Sequence, residues 1–416
     1  MSEVSDEVVR LAARGDGVTA SGRFIPLAAP GDLVDGEGKI TPGPHHQLPP
    51  CRHFPECGGC QLQHVDDAAF AAFVTDRIAG ALAAQGLALP DILPPHLSPP
   101  CSRRRATLKA ERRGETVLLG FHQEGSHRIV DMRECHILRP ELFALVAPLR
   151  SLLRRLLGPR SGGGVRMTLS DQGVDLLIEG VRVEDLAATE AVGAFAAEQR
   201  LARLAVDDGL GPQTLWEPDP VTVTLGGAAQ GSDDAQHRWK GGGGGVAVPL
   251  PHGAFLQATA DGEAALVAAV RRAVGAAEVT ADLFAGLGTF ALALPGRVYA
   301  AEGARDATLA LTAAANWAQR PVFVEHRDLF RRPLTAAELN RFQAIVLDPP
   351  RAGAREQVAA LAGASVPHVA YASCNPATFA RDARAIVDGG FELLWVQPVG
   401  QFRWSTHVEL VGAFAR

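Results

Sequence analysis

The sequence predicts an α/β fold whose C-terminal part is a doubly wound sheet of seven strands. From about residue 251 onward, apolar runs of strand length alternate with segments of helix length. The runs are VTADLF, RVYAAE, PVFVEH, AIVLDPP, HVAYASC, ELLWVQPV and VELVGAF. Strands joined by helices in this way form a mostly parallel sheet with helices on both faces. The last two runs, between about residues 391 and 414, are predicted to end the sheet with an antiparallel strand.

Two helix starts support this alternation. Thr335 and Glu338 stand three residues apart, which is the spacing of a capping box at a helix N-terminus. Asn375 followed by Pro376 predicts an N-cap with proline in the first turn. Helices are therefore predicted to begin at both positions.

The chain before residue 251 is predicted to hold two further domains. Residues 1–45 should form a short β module, because their short apolar runs are broken by glycine turns. Residues 46–250 are predicted to be a mixed α+β region, with strands at TVLLGFHQ and GVDLLIEGVRV and a helix at PELFALVAPLRSLLRRLL. Five glycines at 241–245 predict a loop near its end. Residues 251–416 form the third domain.

The bulk composition limits the class of protein. The 416 residues leave room for two or three domains, and 47% hydrophobic with 21% charged residues is ordinary for a globular protein. The chain has no run of about 18 uncharged apolar residues, and its first thirty residues lack the pattern of a signal peptide. We therefore expect a cytoplasmic protein without a membrane or obligate protein partner. Its six cysteines should be reduced, metal-bound or catalytic.

The charge pattern leaves a nucleic-acid partner open. The net charge of −6 argues against binding of a polyanion over the whole surface. One cluster predicts a local basic face, although a solvated charged strand accounts for it equally well. The cluster consists of Arg103, Arg104, Arg105, Lys109, Arg112 and Arg113.

The first candidate ligand site is the glycine-rich segment DLFAGLGTF at residues 282–290. It follows a predicted strand and is predicted to lead into a helix, so its backbone can approach a ligand at the carboxyl edge of the sheet. Glu302 ends the next strand, 20 residues after Asp282, where a carboxylate can accept hydrogen bonds from two ribose hydroxyls. Because the spacing is not Gly-x-Gly-x-x-Gly, an adenosyl ligand without phosphates is favoured, and S-adenosylmethionine is the candidate. A purely structural glycine turn is the alternative.

A second candidate is the segment Asp348-Pro-Pro-Arg351, which also follows a predicted strand. Asp348 is expected to face the same crevice as Glu302, because parallel strands end at one edge of a sheet. The two prolines fix the turn. A rigid loop with a helix-capping aspartate is the structural alternative.

Cys374 is the candidate nucleophile. It ends the predicted strand HVAYASC, immediately before the helix that Asn375 and Pro376 begin. The positive end of that helix is predicted to lower the pKa of the thiol and so to favour the nucleophilic thiolate. A buried small apolar cysteine is the alternative. Glu409, on the last predicted strand, is a candidate base, although by itself it would be a surface glutamate.

Three cysteines in the middle region predict a metal or cluster site. Cys51, Cys57 and Cys60 follow the spacing Cys-x5-Cys-x2-Cys, and thiolates this close in a reducing compartment act as metal ligands. Cys135 is the preferred fourth ligand and Cys101 the second choice. The second close cysteine pair of a zinc ribbon is missing, so an iron–sulfur cluster is favoured over zinc.

Seven motifs, in order along the chain, resemble the class I S-adenosylmethionine-dependent RNA (uracil-C5) methyltransferase family, in its iron–sulfur-containing 23S rRNA type. They are CRHFPECGGCQLQH, GFHQEGSHRIVDMREC, FLQ, DLFAGLGTFAL, LDPPRAG, YASCNPATFARD and FRWSTHVELV. The resemblance implies a class I methyltransferase sheet over residues 251–416 and a TRAM module, an OB-like RNA-binding barrel, over residues 1–45. It also implies S-adenosylmethionine and a [4Fe-4S] cluster as cofactors and RNA as the partner.

The resemblance assigns roles to individual residues. The implied cluster ligands are Cys51, Cys57, Cys60 and Cys135. The implied cofactor-binding residues are Gln257, Phe284, Glu302 and Asp348, with Thr289 and Asp328 in neighbouring positions. Cys374 matches the nucleophile of the family and Glu409 its base.

These roles imply methylation of C5 of a uridine in RNA, in which Cys374 adds to C6 and Glu409 removes the C5 proton. 23S rRNA is the expected substrate, because the rRNA enzymes of the family carry the cluster cysteines and the bacterial tRNA enzymes typically lack them. A tRNA uridine methyltransferase and an inactive iron–sulfur RNA-binding protein are the alternatives. Cytosine methylation is disfavoured, because those enzymes carry a cysteine where this chain has Asp348-Pro-Pro-Arg351.

Three positions depart from the family pattern. Thr259 stands two residues after Gln257, where the family usually has Asn. Gly400 stands where an Asp is common, and Arg403 replaces the Pro that usually follows the Phe at position 402. The predicted reaction does not depend on these three side chains.

Overall fold

The structure is a computed structural model and describes residues 5–226 and 244–416. Of the glycine loop predicted at residues 241–245, residues 241–243 lie outside the described residues. The described residues form four sheets, with the strands numbered β1 to β22 and the helices α1 to α9 along the chain. None of the described helices is long and apolar enough to cross a membrane.

The N-terminal sheet consists of short antiparallel strands in the order β3-β2-β1-β4-β5. Val8, Ala28 and Val34 form its small core. The strands are β1 (Asp6–Leu11), β2 (Gly17–Thr19), β3 (Phe24–Ile25), β4 (Leu33–Val34) and β5 (Ile40–Thr41). These are the strands expected of the β module, and its assignment as an RNA-binding barrel stays a prediction.

The middle region forms a six-stranded sheet in the order β13-β12-β11-β10-β8-β9. Helix α1 has no counterpart among the sequence predictions and begins where the Asp66 carboxylate accepts the N–H of Ala69 at 2.8 Å. The helix predicted at residues 140–157 is two helices that meet at Leu145. The elements are α1 (Asp67–Ala84), β6 (Asp91–Ile92), β7 (His96–Leu97), β8 (Arg105–Arg113), β9 (Thr116–Gly120), α2 (Pro140–Ala144), α3 (Val146–Leu156), β10 (Gly162–Ser170), β11 (Gly173–Glu179), α4 (Leu186–Glu198), β12 (Arg203–Asp207) and β13 (Gln213–Trp216).

The C-terminal region supplies the seven predicted strands and five helices. Two strands before them, β14 (Thr222–Leu225) and β15 (Val246–Pro249), pair with each other and share the core of this region. The predicted domain boundaries stay predictions. The elements are α5 (Ala260–Val274), β16 (Val279–Leu283), β17 (Arg297–Glu302), α6 (Arg305–Trp317), β18 (Val322–His326), α7 (Ala336–Leu339), β19 (Ala344–Leu347), α8 (Arg355–Ala362), β20 (His368–Ser373), α9 (Pro376–Asp388), β21 (Glu392–Gly400) and β22 (Glu409–Ala415).

The sheet does not end at its antiparallel strand, contrary to the prediction. Strand β22 lies between β20 and β21 and runs antiparallel to both. The short strands β6 and β7 then pair in parallel with β21, so the sheet has nine strands in the described chain. Strands β6 and β7 pair with a strand some 300 residues away in sequence, so no local sequence pattern indicates them. This is why these two-residue strands were not predicted.

The helix predicted directly after Gly288 is not an α-helix. Residues 286–293 form consecutive hydrogen-bonded turns, in which the Leu292 N–H donates to the Gly288 carbonyl at 2.9 Å. Gly288 has a φ of +92°, and a Cβ there would lie 2.3 Å from the Leu311 side chain. Left-handed backbone at this point prevents a regular helix from starting. The capping box at Thr335 and the N-cap at Asn375 are present as predicted.

Three residues of the predicted basic cluster are held by other groups of the protein. Arg104 is buried and pairs with Glu263 at 2.5 Å, and Arg113 pairs with Glu111 at 2.8 Å. Arg112 donates to the carbonyl of Leu157 at 2.8 Å. Alternating strand residues point to opposite faces of the sheet, so a run of arginines on and beside β8 is divided between them.

Arg104 joins the middle region to the C-terminal sheet. Its Nε donates to the carbonyl of Gln257 at 3.1 Å, and its guanidinium pairs with Glu263 of α5. Its backbone N–H donates to the carbonyl of Ala258 at 2.9 Å. Burial raises the pKa of Glu263, and Arg104 opposes that rise. Removing one partner of such a pair leaves a buried charge without compensation.

Replacing Arg104 by leucine is expected to lower the free energy of unfolding by about 3–5 kcal/mol, because Glu263 stays buried without its partner. The matched control, Arg113→Leu, breaks the exposed pair with Glu111 and should leave stability almost unchanged. Urea denaturation of the purified variants measures both effects. Equal losses in the two variants would contradict a special role for the buried pair.

Candidate active site

The carboxyl edge of the C-terminal sheet gathers the candidate catalytic groups. Strands β16, β17, β19 and β20 are parallel, so they end at one edge. Asp282, Glu302, Asp348 and Cys374 stand at or directly after those ends. Strand β22 begins at the same edge beside β20, and the register of the two strands places Glu409 next to Cys374.

Asp282 is a buried carboxyl without an ordinary hydrogen bond. It is 0% exposed, and neither carboxylate oxygen has a partner among the described residues. Burial raises the pKa of Asp282 well above its usual value; Asp348 and Glu302 raise it further, and the backbone of Ala291 opposes this only in part. An acidic crevice of this kind suits a cationic ligand.

Glu302 holds the glycine turn in place. Its carboxylate accepts the N–H of Gly286 at 2.9 Å and the N–H of Ala304 at 2.7 Å. Phe284, between strand and turn, has a φ of +66°, and its ring packs against Phe330 with the ring centres 5.4 Å apart. Left-handed backbone at a bulky residue is strained, and such strain is concentrated at functional sites.

The pKa values of two carboxyl groups beside Cys374 lie near neutrality. Burial, and then Glu302, raise the pKa of Asp348 to about 7. Burial, and then Asp348, raise the pKa of Glu409 to about 8, while Gln401 and Arg105 oppose the rise. A base whose pKa lies close to the working pH is well matched to proton transfer.

The prediction of a lowered pKa for Cys374 is wrong. Burial raises the pKa of the thiol, and the carboxyls of Glu409 and Asp348 raise it further, while Arg351 opposes them. Helix α9 does begin beside it, with Asn375 Oδ1 accepting the N–H of Ala377 at 3.1 Å. Desolvation and the neighbouring negative charges raise the pKa of Cys374 more than the helix N-terminus lowers it, so the resting group is a thiol.

Gln257 belongs to a buried network that the sequence analysis missed. Its Oε1 accepts a hydrogen bond from Nε2 of Gln401 at 2.7 Å. The Oε1 of Gln401 accepts the N–H of Ala258 at 2.8 Å. The signal in the sequence was a polar residue at the end of an apolar strand, eight positions before Glu409.

The sequence analysis also did not predict that two arginines lie next to the catalytic groups and act on them electrostatically. Arg105 lies over the ring of Phe255, 4.5 Å from its centre, and acts electrostatically on Glu409. Arg351 contacts Nδ1 of His407 at 3.1 Å and acts on Cys374. Both arginines lie in segments that were noted from the sequence. Only the fold shows that their charges face the carboxyl edge of the C-terminal sheet.

Two predicted cofactor residues lie at the margin of the crevice. Asp328 is exposed, and its carboxylate accepts the N–H groups of Phe330 at 3.0 Å and Arg331 at 3.2 Å. Thr289 is half-buried in the turns that follow Gly288, and its side chain makes no hydrogen bond within the described ranges. Their roles in binding stay predictions.

The four preferred cluster cysteines line one small cavity. Burial, and to a smaller extent the neighbouring thiols, raise the pKa of Cys60 to about 12 and that of Cys135 to about 11. Cys101 is exposed and does not line the cavity. No three Cys, His, Asp or Glu side chains in residues 5–226 and 244–416 are arranged to hold a single metal ion. The lining includes Cys51, Cys57, Cys60, Cys135, Phe54, Phe121, Val130, Met132 and Ile137.

Sequence relatives decide the family. The chain is 52% identical over 412 residues to an RNA methyltransferase of Zymomonas mobilis, and the match covers 99% of each chain. The chain belongs to the RNA methyltransferase family. The methyltransferase is also 31% identical, over 386 residues, to a 23S rRNA (uracil(1939)-C(5))-methyltransferase of Chromohalobacter salexigens, which covers 89% of this chain and 77% of that one. No family model matches the chain.

A solved structure supports the fold of the methyltransferase. A tRNA (uracil-54, C5)-methyltransferase of Pyrococcus abyssi, in complex with S-adenosyl-L-homocysteine, superposes with a TM-score of 0.73 over 100% of both chains. Its sequence identity is 19%, so this likeness shows the fold alone. The predicted methyltransferase fold and the prediction of an RNA-methylating enzyme are confirmed.

Asp282→Asn is expected to raise the free energy of unfolding of the ligand-free methyltransferase, by roughly 1–3 kcal/mol at pH 8, because an amide replaces a dry carboxyl. A carboxyl whose pKa is raised by folding costs nothing below its unfolded pKa near 4, and its cost grows as the pH rises toward the folded pKa. The gain should therefore be smaller at pH 5 than at pH 8. Urea denaturation at both pH values measures it.

The control for this experiment is Asp76→Asn, which changes an exposed aspartate of α1. Its effect should be small and independent of pH. A gain from Asp282→Asn that is equal at pH 5 and pH 8 would contradict the electrostatic origin of the effect.

Proposed function

We propose that the methyltransferase transfers the methyl group of S-adenosylmethionine to C5 of a uridine in RNA. The observation that carries this proposal is the neighbouring placement of a thiol and a buried carboxyl, Cys374 and Glu409, at the ends of the paired strands β20 and β22. Uracil C5 is a weak nucleophile that cannot attack a sulfonium methyl group directly. The reaction therefore needs a nucleophile and a base on the same ring.

In the proposed reaction, the Cys374 thiol loses its proton to solvent and the resulting thiolate forms a bond to C6. The electron pair of the C5–C6 double bond moves into an enolate. C5 then attacks the methyl group, and S-adenosylhomocysteine leaves as a neutral thioether. The Glu409 carboxylate removes the C5 proton, the double bond forms again, and Cys374 is expelled as thiolate. The target base has to leave the RNA stack for C6 to reach Cys374.

The acidic crevice supports S-adenosylmethionine as the methyl donor. Asp282 has no ordinary partner there, and the sulfonium and ammonium groups of this ligand offset the repulsion among its carboxylates. We assign the ribose hydroxyls to Glu302 and the methionyl group to Asp348. The remaining residues proposed to bind the donor are Gln257, Phe284, Thr289 and Asp328.

23S rRNA is the proposed substrate. The relative of Chromohalobacter salexigens, at 31% identity, is named for that activity. The tRNA enzyme of Pyrococcus abyssi, at 19% identity, bears on the fold and not on the substrate. A tRNA uridine is therefore the second candidate.

We also propose a [4Fe-4S] cluster held by Cys51, Cys57, Cys60 and Cys135. Their convergence on one cavity with apolar walls supports it. A bound cluster supplies electron transfer or a covalent cross-link between the segments that carry its cysteines.

Glu409→Gln is expected to trap a covalent complex between Cys374 and RNA, because the C5 proton stays in place and the thiolate cannot be eliminated. A 23S rRNA transcript with S-adenosylmethionine should give a slowly migrating band on a denaturing gel. Cys374→Ala and the double variant are the controls and should give none. Wild-type protein should form 5-methyluridine, measured by nucleoside mass spectrometry.

Each outcome of this experiment has a distinct meaning. If wild-type protein forms 5-methyluridine in neither 23S rRNA nor tRNA, the proposed reaction is wrong. If Glu409→Gln leaves no adduct on an RNA that the wild type methylates, another group removes the proton.

Anaerobic purification is expected to give a brown protein with about four irons per chain. Cys135→Ser should lose iron and colour, since it removes one thiolate from the cavity. Cys101→Ser is the matched control and should retain both, because Cys101 is exposed outside the cavity. Iron analysis and visible absorption measure the result, and a colourless zinc protein would overturn the cluster.

A further inference from the structure

One end of the C-terminal sheet carries an open groove that the proposed reaction does not use. Strand β18 is the last strand at this end of the described sheet, and it pairs in parallel with β17, so that Tyr299 lies beside Phe323. Successive side chains of a strand point to opposite faces of the sheet. Val298 and Ala300 share a core with α6, so Tyr299 and Phe323 lie on the other face. The lining of this β18 groove includes Arg297, Tyr299, Phe323, Glu325, Arg341 and Phe342.

The β18 groove is open because a short segment covers this face of the sheet. The connection from β18 to β19, residues 327–343, is described throughout and contains one helix, the four-residue α7. Phe342 of this connection packs against Tyr299, with the ring centres 5.5 Å apart. Leu334 and Leu339 are buried beside them in the core. The segment covers Tyr299 in part and leaves the neighbouring ring of β18 in water.

Aromatic rings are stacked along the β18 groove. The rings of Tyr299 and Phe323 lie with their centres 6.0 Å apart and their planes 18° from parallel. The Tyr299 hydroxyl donates to Glu325 at 2.5 Å, which fixes the orientation of the tyrosine ring. Phe323 itself is 66% exposed. A nucleic-acid base can extend such a stack, and stacking of this kind tolerates any base because every base has a flat aromatic face.

The charges of the β18 groove favour an anionic ligand. Both carboxylates of its described lining have partners, since Glu325 accepts the tyrosine hydroxyl and Glu338 pairs with Arg327 at 2.9 Å. Arg297 and Arg341 are exposed, and neither guanidinium makes a hydrogen bond or an ion pair with residues 5–226 or 244–416. Guanidinium groups bind phosphate through two parallel hydrogen bonds. Unpaired guanidiniums beside an exposed ring therefore match a phosphate backbone that carries an unstacked base.

The β18 groove lies away from the candidate active site. Four strand spacings of about 4.8 Å separate β18 from β20, whose end carries Cys374. The groove also reaches Arg297 at the amino end of β17, whereas the catalytic groups stand at the carboxyl edge of the sheet. A nucleotide bound in the groove is therefore not the target uridine and belongs to another part of the same RNA.

We propose that the β18 groove binds an unpaired segment of the RNA substrate at a distance from the methylated uridine. The proposal rests on the proposed function for the identity of that RNA. One base of the segment stacks on Phe323, and its phosphates bind Arg297 and Arg341. A protein strand added to the edge of β18 is the alternative occupant. It would use the backbone of β18 and leave the ring stack and both guanidiniums without a ligand, so the lining favours RNA.

Two variants test the two parts of the groove. Phe323→Ala removes the exposed ring, and the double variant Arg297→Gln with Arg341→Gln removes the two unpaired charges. Trp317→Ala is the matched aromatic control, because Trp317 is 89% exposed on α6 and does not line the groove. Arg271→Gln, at an exposed position of α5, is the matched charge control. All five side chains are exposed, so the variants should fold.

The test compares the dissociation constants of two RNAs over a range of salt concentrations, with S-adenosylhomocysteine bound to the protein. One RNA is a 23S rRNA transcript, and the other is a short hairpin that contains the methylated uridine. Phe323→Ala should weaken binding of the transcript roughly tenfold, as expected for one lost base stack. The double arginine variant should lower the slope of log Kd against log salt by about 1.4, since two phosphate contacts are lost. Hairpin binding and both control variants should stay as in the wild type.

The outcomes separate a distant RNA contact from its alternatives. Unchanged binding of the transcript in both groove variants overturns the proposal. An equal loss with the transcript and the hairpin also overturns it, because the effect is then not confined to a distant segment. A changed oligomeric state of Phe323→Ala in light scattering, with unchanged RNA affinity, overturns it in favour of a protein contact.

The proposed function fails by a different measurement. Binding with S-adenosylhomocysteine needs no turnover, whereas the proposed function requires the wild type to form 5-methyluridine. A wild type that forms none overturns the proposed function, and the β18 groove is then judged by the affinities for the transcript alone.

Discussion

Crowded carboxyl groups at one edge of the C-terminal sheet are the constraint on which the site depends. Four carboxyl groups lie around the crevice, those of Asp282, Glu302, Asp348 and Glu409. Each is close enough to a neighbour to act on it electrostatically, and burial raises the pKa of three of them. Like charges without water cost stability in the ligand-free protein. The parallel strands and the inserted β22 nevertheless hold these carboxyl groups together. The hydrogen bonds between the strands and the apolar core do not change when the carboxyl groups ionise.

Two buried polar contacts connect the rest of the chain to this edge. Arg104 connects the middle region to Gln257 and α5, and Gln401 connects the end of β21 to the same glutamine. Both contacts are buried, so breaking either leaves polar groups without water. Gln257 is therefore held by two elements that are distant in sequence, its backbone carbonyl by Arg104 and its side chain by Gln401.

The sequence predicted those features that follow from local pattern. The seven strands of the C-terminal region, the helix caps at Thr335 and Asn375, and the convergence of four cysteines all follow from spacing or from resemblance. The failures share a physical cause, which is that they depend on tertiary contacts. The strands β6 and β7 exist through pairing with β21, and Gly288 has a left-handed backbone at a point where a side chain would collide with Leu311.

Electrostatic features of the site were the hardest to predict. A helix N-terminus beside Cys374 indicated a lowered pKa, but the size of the opposing effects depends on burial and on how closely Glu409 and Asp348 approach. The isolation of Asp282 and the network of Gln401 are likewise invisible until the fold is known. A glutamine at the end of an apolar strand is ordinary in a sequence, and its contact with Gln257 appears only in the fold.

The proposed reaction changes the charge in the crevice at the step where the base is needed. S-adenosylmethionine is cationic at sulfur, and its product S-adenosylhomocysteine is neutral there. In the proposed complex, the sulfonium would offset the carboxylates and favour the ionised form of Glu409. Transfer of the methyl group removes that charge, and the repulsion from Asp348 again raises the affinity of Glu409 for a proton. The same crowding that destabilises the empty site therefore favours removal of the C5 proton after methylation and not before it.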